Sequence, residues 1–239
     1  MGNKKRVIKQ QLEDYGPPPD VLSSFFGLNL DEEQTKFRDA IWNKNIDIVF
    51  CDSVAGTGKT TIAVGTASLL VKYGLFQKII YLVSPVQEGK VGFRPGDTDK
   101  KLAPYYSPLY DVATDIDINP YEDINVCTED WNNQGSGYID CMSHIFLRGR
   151  NIKSSTILII DEAQNIYLDE MKKILTRVQD GAKVIVIGHS GQCDLYNNPQ
   201  NSGFAPYLRH FSGQDRCCVC SLTQNHRGWV SRFADQLNN

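Results

Sequence analysis

The stretch Ser53-Val54-Ala55-Gly56-Thr57-Gly58-Lys59-Thr60 carries the residue types that hold a polyphosphate. Before it, Ile46-Asp47-Ile48-Val49-Phe50-Cys51 reads as a buried parallel strand; after it, Thr61 to Leu70 reads as a helix. A turn from such a strand into such a helix leaves backbone N–H groups unpaired and aimed at one spot. The helix dipole adds positive potential there. Gly56 and Gly58 let the backbone curl around a phosphate where a side chain would obstruct it. Lys59 then reaches the β- and γ-phosphates, and the Thr60 hydroxyl suits a Mg²⁺ ligand. The expected nucleotide-binding set is Ser53, Val54, Ala55, Gly56, Thr57, Gly58, Lys59, Thr60 and Thr61. Ser53 stands where the pattern wants glycine, at a position that makes the turn rather than the phosphate contact.

A second set lies far downstream. Asp161-Glu162 ends the most hydrophobic run, Thr156-Ile157-Leu158-Ile159-Ile160. Carboxylates at the carboxyl end of a parallel strand point into the crevice where α/β sheets bind ligands. Asp161 is placed to hold Mg²⁺ alongside Thr60, and Glu162 to orient and deprotonate the attacking water. Gln192, after the next strand, is a candidate for touching the γ-phosphate region. Arg227 is either a group that stabilises transition-state charge or a solvated surface residue.

Alternating strands and helices must position these groups. Lys78–Ser84, Thr156–Asp161, Lys183–Gly188 and Cys217–Leu222 read as strands, with Tyr138–Met142 a further candidate. Helices are expected from Leu30-Asp31 with Asp31 as N-cap, near Tyr105–Ala113, over Leu168–Val178 and over Trp229–Leu237. The class is α/β, a mostly parallel sheet covered by helices on both faces. Residues 1–27 read as a leader stiffened by Pro17-Pro18-Pro19, and residues 28–239 as one domain.

Composition narrows the class further. The chain has 239 residues, 41% hydrophobic and 22% charged, which is a soluble globular balance. No apolar run is long enough for a membrane helix, and the N-terminus matches neither a signal peptide nor a myristoylation site, so a cytoplasmic protein is expected. Seven cysteines in no disulfide framework agree with a reducing compartment. Cys217-Cys218-Val219-Cys220 reads as buried strand thiols in preference to a zinc site. Net charge is −3, so no global basic field marks a nucleic-acid binder. From Leu102 through Leu147 there is no Lys or Arg, while Asp111, Asp115, Asp117, Glu122, Asp123, Glu129, Asp130 and Asp140 fall within it. That stretch is an acidic solvated face, or one turned from nucleic acid or matched to a neighbouring subunit.

Taken together, Ala55–Thr60, Val91-Gly92-Phe93-Arg94-Pro95-Gly96-Asp97, Phe146-Leu147-Arg148-Gly149-Arg150 and Asp161-Glu162-Ala163-Gln164-Asn165 resemble the PhoH-like ATPases. These are relatives of the first RecA-like domain of superfamily 1 helicases. The resemblance implies a P-loop NTPase with a RecA-like sheet, using ATP and Mg²⁺. It also implies that Gln34 contacts the adenine and that Gln164 links nucleotide state to a substrate surface. Arg148 and Arg150 become candidates for a role near phosphate or at a subunit boundary. The family usually has Asp where His189 stands, and Leu222–Gly228 looks more like a helicase motif than the usual ending.

The resulting expectation is an ATPase that remodels or unwinds single-stranded RNA or DNA. The catalytic candidates are Lys59, Glu162, Gln192, Arg148, Arg150 and Arg227. A homo-oligomer, a hexameric ring, would let a neighbour supply an arginine. Lys90, Arg94, Lys100 and Lys101 are the expected nucleic-acid contacts. The alternative is a nucleotide-dependent oligomeric switch with little turnover; Glu162 speaks for turnover.

Overall fold

Buried β-branched runs build the sheet. The computed structural model describes residues 16–84, 98–127, 135–147, 149–193, 195 and 199–234. Its strands are β1 (Ile48–Ser53), β2 (Lys78–Val83), β3 (Ile124–Val126), β4 (Ile139–Ser143), β5 (Thr156–Ile160), β6 (Lys183–Gly188) and β7 (Cys217–Leu222). They form one seven-stranded sheet in the order β3-β4-β2-β5-β6-β1-β7, every pairing parallel. The helices are α1 (Pro19–Ser23), α2 (Glu32–Trp42), α3 (Lys59–Lys72), α4 (Thr98–Asp115), α5 (Leu168–Leu175), α6 (Phe204–Phe211) and α7 (Trp229–Ala234).

Successive strand residues face opposite sides, so the sheet carries two cores. On β1, Val49 and Cys51 join Phe37, Ile41, Ile62 and Leu70 of α2 and α3. Ile48 and Phe50 join Met171 and Ile174 of α5 and Phe204 of α6 on the other side. β3, only three residues long, was too short to read in the sequence.

Two sequence expectations are corrected. The triple proline does not run on as an extended linker. Pro19 starts α1, because a proline's fixed φ suits the first helical turn, where its missing N–H costs nothing. Val21 and Phe25 are then buried in the α2/α3 core. Gly65 makes room for Phe25: a Cβ there would lie 2.7 Å from the Phe25 ring. The thiols of β7, expected to be buried, are half-buried, because β7 is an edge strand. Cys218 and Cys220 lie on one face with sulfurs 3.9 Å apart.

Candidate nucleotide-binding site

β1 delivers the phosphate loop and α3 receives it. Ser53 is the last residue of β1, buried and in register with Leu222 of β7. As an ordinary strand residue it has no need of glycine's freedom, which explains serine at this position. Gly56 and Gly58 do need it, with φ of 79° and 80°. Thr57 Oγ1 donates to Val54 O at 3.1 Å and tightens the turn. α3 then starts at Lys59, leaving its first N–H groups open toward the loop.

The carboxylate pair meets this loop from β5. Thr60 Oγ1 donates to Asp161 Oδ2 at 3.1 Å. The same oxygen accepts from the Tyr81 hydroxyl on β2, and Asp161 Oδ1 accepts from Glu162 N at 2.7 Å. Asp161 is fully enclosed, and burial together with the neighbouring Glu162 pushes its carboxyl above the usual range. Burial and the Asp161 charge likewise hold the Tyr81 phenol well above its ordinary value.

Glu162 sits in the left-handed region at φ 50°, which turns its side chain back toward α3. Its Oε1 lies 3.9 Å from Lys59 Nζ, and its Oε2 accepts from Gln164 Nε2 at 2.6 Å. Gln164 Oε1 in turn accepts from His189 N at 3.0 Å, tying the base candidate to the turn after β6. Ser190 of that turn donates its N–H and hydroxyl to Asp52 of β1, at 2.9 and 2.6 Å.

A cleft of about 650 Å³ opens over the loop, lined by Gly56, Gly58, Lys59, Thr60, Thr61, Glu162 and Arg227. Leu28, Asn29, Leu30, Gln34 and His226 line it too, with Pro108, Asp111, Val112 and Asp115 of α4. Arg227 is held across the loop: His226 N donates to Gly56 O at 2.9 Å, and a Cβ on Gly56 would lie 2.9 Å from the Arg227 stem. His226 Nε2 and Asp31 Oδ2 are 2.9 Å apart, anchoring the same segment to α2.

The other candidates lie elsewhere. Gln192 lines a separate cleft of about 540 Å³ behind the loop, with Val54, Ala55, His189 and Asn225. Arg150 lies at the amino ends of β2, β4 and β5, in a cleft with Lys78, Asp140, Lys153 and Thr156, across the sheet from the phosphate loop. Arg148, Lys90 and Arg94 lie outside the described residues, and Lys100 and Lys101 fall in the first turn of α4.

Sequence reasoning missed Tyr81 and the α4 wall. Tyr81 is the one hydroxyl in the run Lys78-Ile79-Ile80-Tyr81-Leu82-Val83. Pro108, Asp111, Val112 and Asp115 recur at i, i+3, i+4 and i+7, the spacing of a single helix face.

Among the described residues no cluster of three or more His, Cys, Asp or Glu is placed to hold a metal. A hard cation bound mainly by phosphates and water needs only one or two protein oxygens, and the Thr60 hydroxyl beside the buried Asp161 carboxylate fits that need. Among the same residues, no helix is long and apolar enough to cross a membrane.

A parallel RecA-like sheet with this loop at the end of β1 and an Asp-Glu pair at the end of β5 defines a P-loop NTPase, a nucleotide-binding protein of ATPase type. The PhoH family model, described as "PhoH-like protein", matches residues 29–228, and the chain belongs to that family. Protein PhoH2 of Bacillus subtilis (strain 168) is 31% identical over 208 residues, 86% of this chain and 46% of that protein. A PhoH-like protein of the same organism is 35% identical over 182 residues, 76% of this chain and 54% of that one. Protein PhoH of Escherichia coli (strain K12) is 32% identical over 207 residues, 81% and 55% of the two chains. The chain thus spans about half the length of these relatives. Among solved structures, the Sulfolobus solfataricus SWI2/SNF2 ATPase core domain aligns at a TM-score of 0.47 and 14% identity, over 85% of this chain and 45% of that one. Strand order and the phosphate loop define the fold.

Proposed function

We propose that the protein hydrolyses ATP with Mg²⁺ and couples turnover to remodelling of single-stranded RNA or DNA as a homo-oligomer. The observation that carries the hydrolysis is the grouping of Lys59, Thr60 and Glu162 around one cleft, with the buried Asp161 carboxylate hydrogen-bonded to Thr60. The open N–H groups at the start of α3 and the Lys59 ammonium cradle the phosphates, while Thr60 and Asp161 would hold the Mg²⁺. Such an ion would supply positive charge against the phosphate oxygens. Glu162 accepts the proton of the attacking water, its carboxylate oriented by Gln164. Arg227, lining the same cleft in the same chain, answers the charge that develops as the γ-phosphoryl leaves.

The nucleic-acid reading rests on family membership and on the basic residues Lys90, Arg94, Lys100 and Lys101 that follow β2. With a net charge of −3, affinity is modest, falls with salt and ignores sequence. In an oligomer, Arg148 and Arg150 remain candidates for reaching a neighbour's nucleotide. The test is phosphate release from Mg·ATP with and without single-stranded oligonucleotides. Release that oligonucleotide accelerates is expected; no release from a folded preparation overturns the hydrolysis reading. Release indifferent to RNA and DNA overturns the nucleic-acid coupling alone.

A further inference from the structure

Tyr81 brings a hydroxyl into the middle of an otherwise apolar run, Ile79-Ile80-Tyr81-Leu82-Val83, and is 1% exposed. Strand register decides what that hydroxyl meets. Tyr81 pairs with Ile159 of β5, and Asp161 follows two residues on, where the alternation returns to the same face. That face is covered by α2 and α3, and Tyr81 and Ile159 share its core with Ile62 and Val64. The aliphatic neighbours on this face, Ile79 and Val83, have nothing to donate. The phenol ring is long enough to carry its hydroxyl to Asp161 Oδ2, just past the carboxyl end of β5. A buried phenol needs such a partner, since one left without a hydrogen bond is costly.

Both oxygens of the Asp161 carboxylate are held. Oδ1 accepts from Glu162 N at 2.7 Å, and Oδ2 accepts from Thr60 Oγ1 at 3.1 Å as well as from Tyr81. A carboxylate offers about four acceptor positions, two on each oxygen. Tyr81 and Thr60 fill those of Oδ2, which leaves the open position on Oδ1. The consequence falls on Thr60. Its hydroxyl has one proton and two lone pairs, and while the proton goes to Asp161 both lone pairs remain for a cation. Asp161 is 2% exposed, so bulk water does not stand in for a lost donor. Without the Tyr81 hydroxyl, one of the three donors that hold the carboxylate against rotation is gone.

We infer that Tyr81 is a positioning residue for the divalent-cation end of the site. It acts through Asp161, fixing the carboxylate so that Thr60 points its proton away from the cation and its lone pairs toward it. Tyr81 does not itself line the cleft. The inference rests on the Mg·ATP reading above and deepens it by naming the group that sets the affinity for the ion.

Tyr81→Phe removes the oxygen and keeps the ring. The experiment measures binding of a fluorescent ATP analogue in EDTA and then against rising Mg²⁺, beside phosphate release, on the full chain. Tyr138→Phe is the control, because the Tyr138 hydroxyl stands 2.7 Å from Ser68 Oγ of α3, in the same core but two turns beyond Thr60. Tyr81→Phe should keep metal-free affinity within about twofold. It should raise the Mg²⁺ needed for half-maximal binding and half-maximal rate by roughly tenfold, the size of one hydrogen bond to a charged group. Saturating Mg²⁺ should restore most of kcat, since Lys59 and Glu162 are untouched. Tyr138→Phe should lower the melting temperature and leave the Mg²⁺ requirement where it was. A Tyr81→Phe chain that melts earlier with an unchanged Mg²⁺ requirement overturns the inference, and so does an equal shift in Tyr138→Phe. Should Tyr81→Phe lose its fold, the wild type carries the test. With ¹³C-labelled tyrosine, the Tyr81 Cζ resonance should move when Mg²⁺ joins bound nucleotide, and a resonance indifferent to Mg²⁺ overturns the inference. Each of these failures leaves the hydrolysis reading standing. A wild type that binds nucleotide without regard to Mg²⁺ and releases no phosphate sinks that reading, and this inference with it.

Discussion

Gln164 Nε2 donates to Glu162 Oε2 at 2.6 Å and so fixes the carboxylate whose other oxygen stands 3.9 Å from Lys59 Nζ. Gln164 is 3% exposed and its own oxygen is held by His189 N. The carboxylate is thereby coupled to the turn after β6 through a side chain with no freedom to wander. Glu162→Gln should keep nucleotide affinity and lose hydrolysis by ~10²–10⁴-fold, the usual loss for a general base. Gln164→Leu removes orientation without removing the base, so kcat should fall by about tenfold or more with KM little changed. Steady-state kinetics beside equilibrium binding of a fluorescent nucleotide separate the two effects. Unchanged kcat in Gln164→Leu would detach the glutamine from the chemistry.

Asp161 is a place where function costs stability. Its carboxyl is raised because burial and Glu162 both oppose its charge. A carboxyl raised on folding binds more protons folded than unfolded between its two pKa values. Stability therefore falls as pH rises through that window and stays lower above it. Asp161→Asn removes the charge while keeping an oxygen to accept from Tyr81. It should raise the melting temperature of the nucleotide-free protein at neutral pH, by about 2–4 °C for each kcal/mol relieved, while abolishing Mg²⁺-dependent hydrolysis. A melting temperature that falls would mean that the hydrogen bonds to Asp161 outweigh its desolvation.

The two chemical ends of the site were legible because each pairs a buried apolar run with polar residues directly after it. Val49-Phe50-Cys51 leads to Gly56, Gly58, Lys59 and Thr60, and Ile157–Ile160 leads to Asp161 and Glu162. Parallel strands, buried on both faces, leave that signature, and their carboxyl ends must share one crevice. The α4 wall was not legible, since Asp111 and Asp115 read equally well as solvated charges until the helix is docked against the phosphate loop. The placement of Arg150 was hidden for a related reason. Which end of a sheet a loop visits depends on the strands around it, and the strand β3 on that side is only three residues long. Phe25 is legible as an apolar residue of the leader but its burial is not, because that depends on Gly65, forty residues on and in another element.

Phe25 also makes the N-terminal segment testable. It is 1% exposed and packs at Gly65 on α3, the helix that carries Lys59 and Thr60. Phe25→Ala should destabilise by roughly 3–5 kcal/mol, the range for emptying a buried aromatic site. Urea denaturation followed by circular dichroism reads it directly. A loss under 1 kcal/mol would show that residues 16–27 are held only loosely.

Lys183 gives a pH signature of its own. It is buried at the start of β6, its ammonium donating to Asn43 O and Ile46 O at 2.8 and 2.6 Å, which pins the end of α2 to the sheet. Burial lowers its pKa to about 8, against an ordinary lysine near 10.5. Between those values the unfolded chain holds the proton and the folded chain releases it, so this group's contribution to stability rises with pH across about 8 to 10.5. Each unit of the window is worth at most about 1.4 kcal/mol. Buried Tyr81 and Cys51, both raised, pull the other way at the alkaline end. The comparison must therefore be wild type against Lys183→Met, in which those terms cancel. The stability difference should widen in favour of the wild type from pH 8 to 10; a flat difference would mean that Lys183 keeps its proton in both states.

Arg227 and Arg150 separate a chain that works alone from one that needs a neighbour. Arg227 lies across the phosphate loop of its own chain, over Gly56, whereas Arg150 opens on a cleft at the amino ends of β2, β4 and β5. A positioned cation that answers transition-state charge contributes about 10²–10³-fold to kcat when removed. Arg227→Ala should show a loss of that order at every protein concentration, since the group is intramolecular. Arg150→Ala should leave the rate per chain unchanged under dilute conditions. At concentrations where light scattering detects assembly, it should lower the rate only if the arginine reaches a neighbour's nucleotide. Mixing Glu162→Gln with Arg150→Ala at concentrations where assembly is detected sharpens the result. Activity above the sum of the two variants alone appears when a neighbour's Arg150 completes each site, and no such gain appears when Arg227 alone completes it. Full activity in Arg227→Ala would remove the intramolecular arginine from the mechanism and leave the residues of a neighbour to supply it.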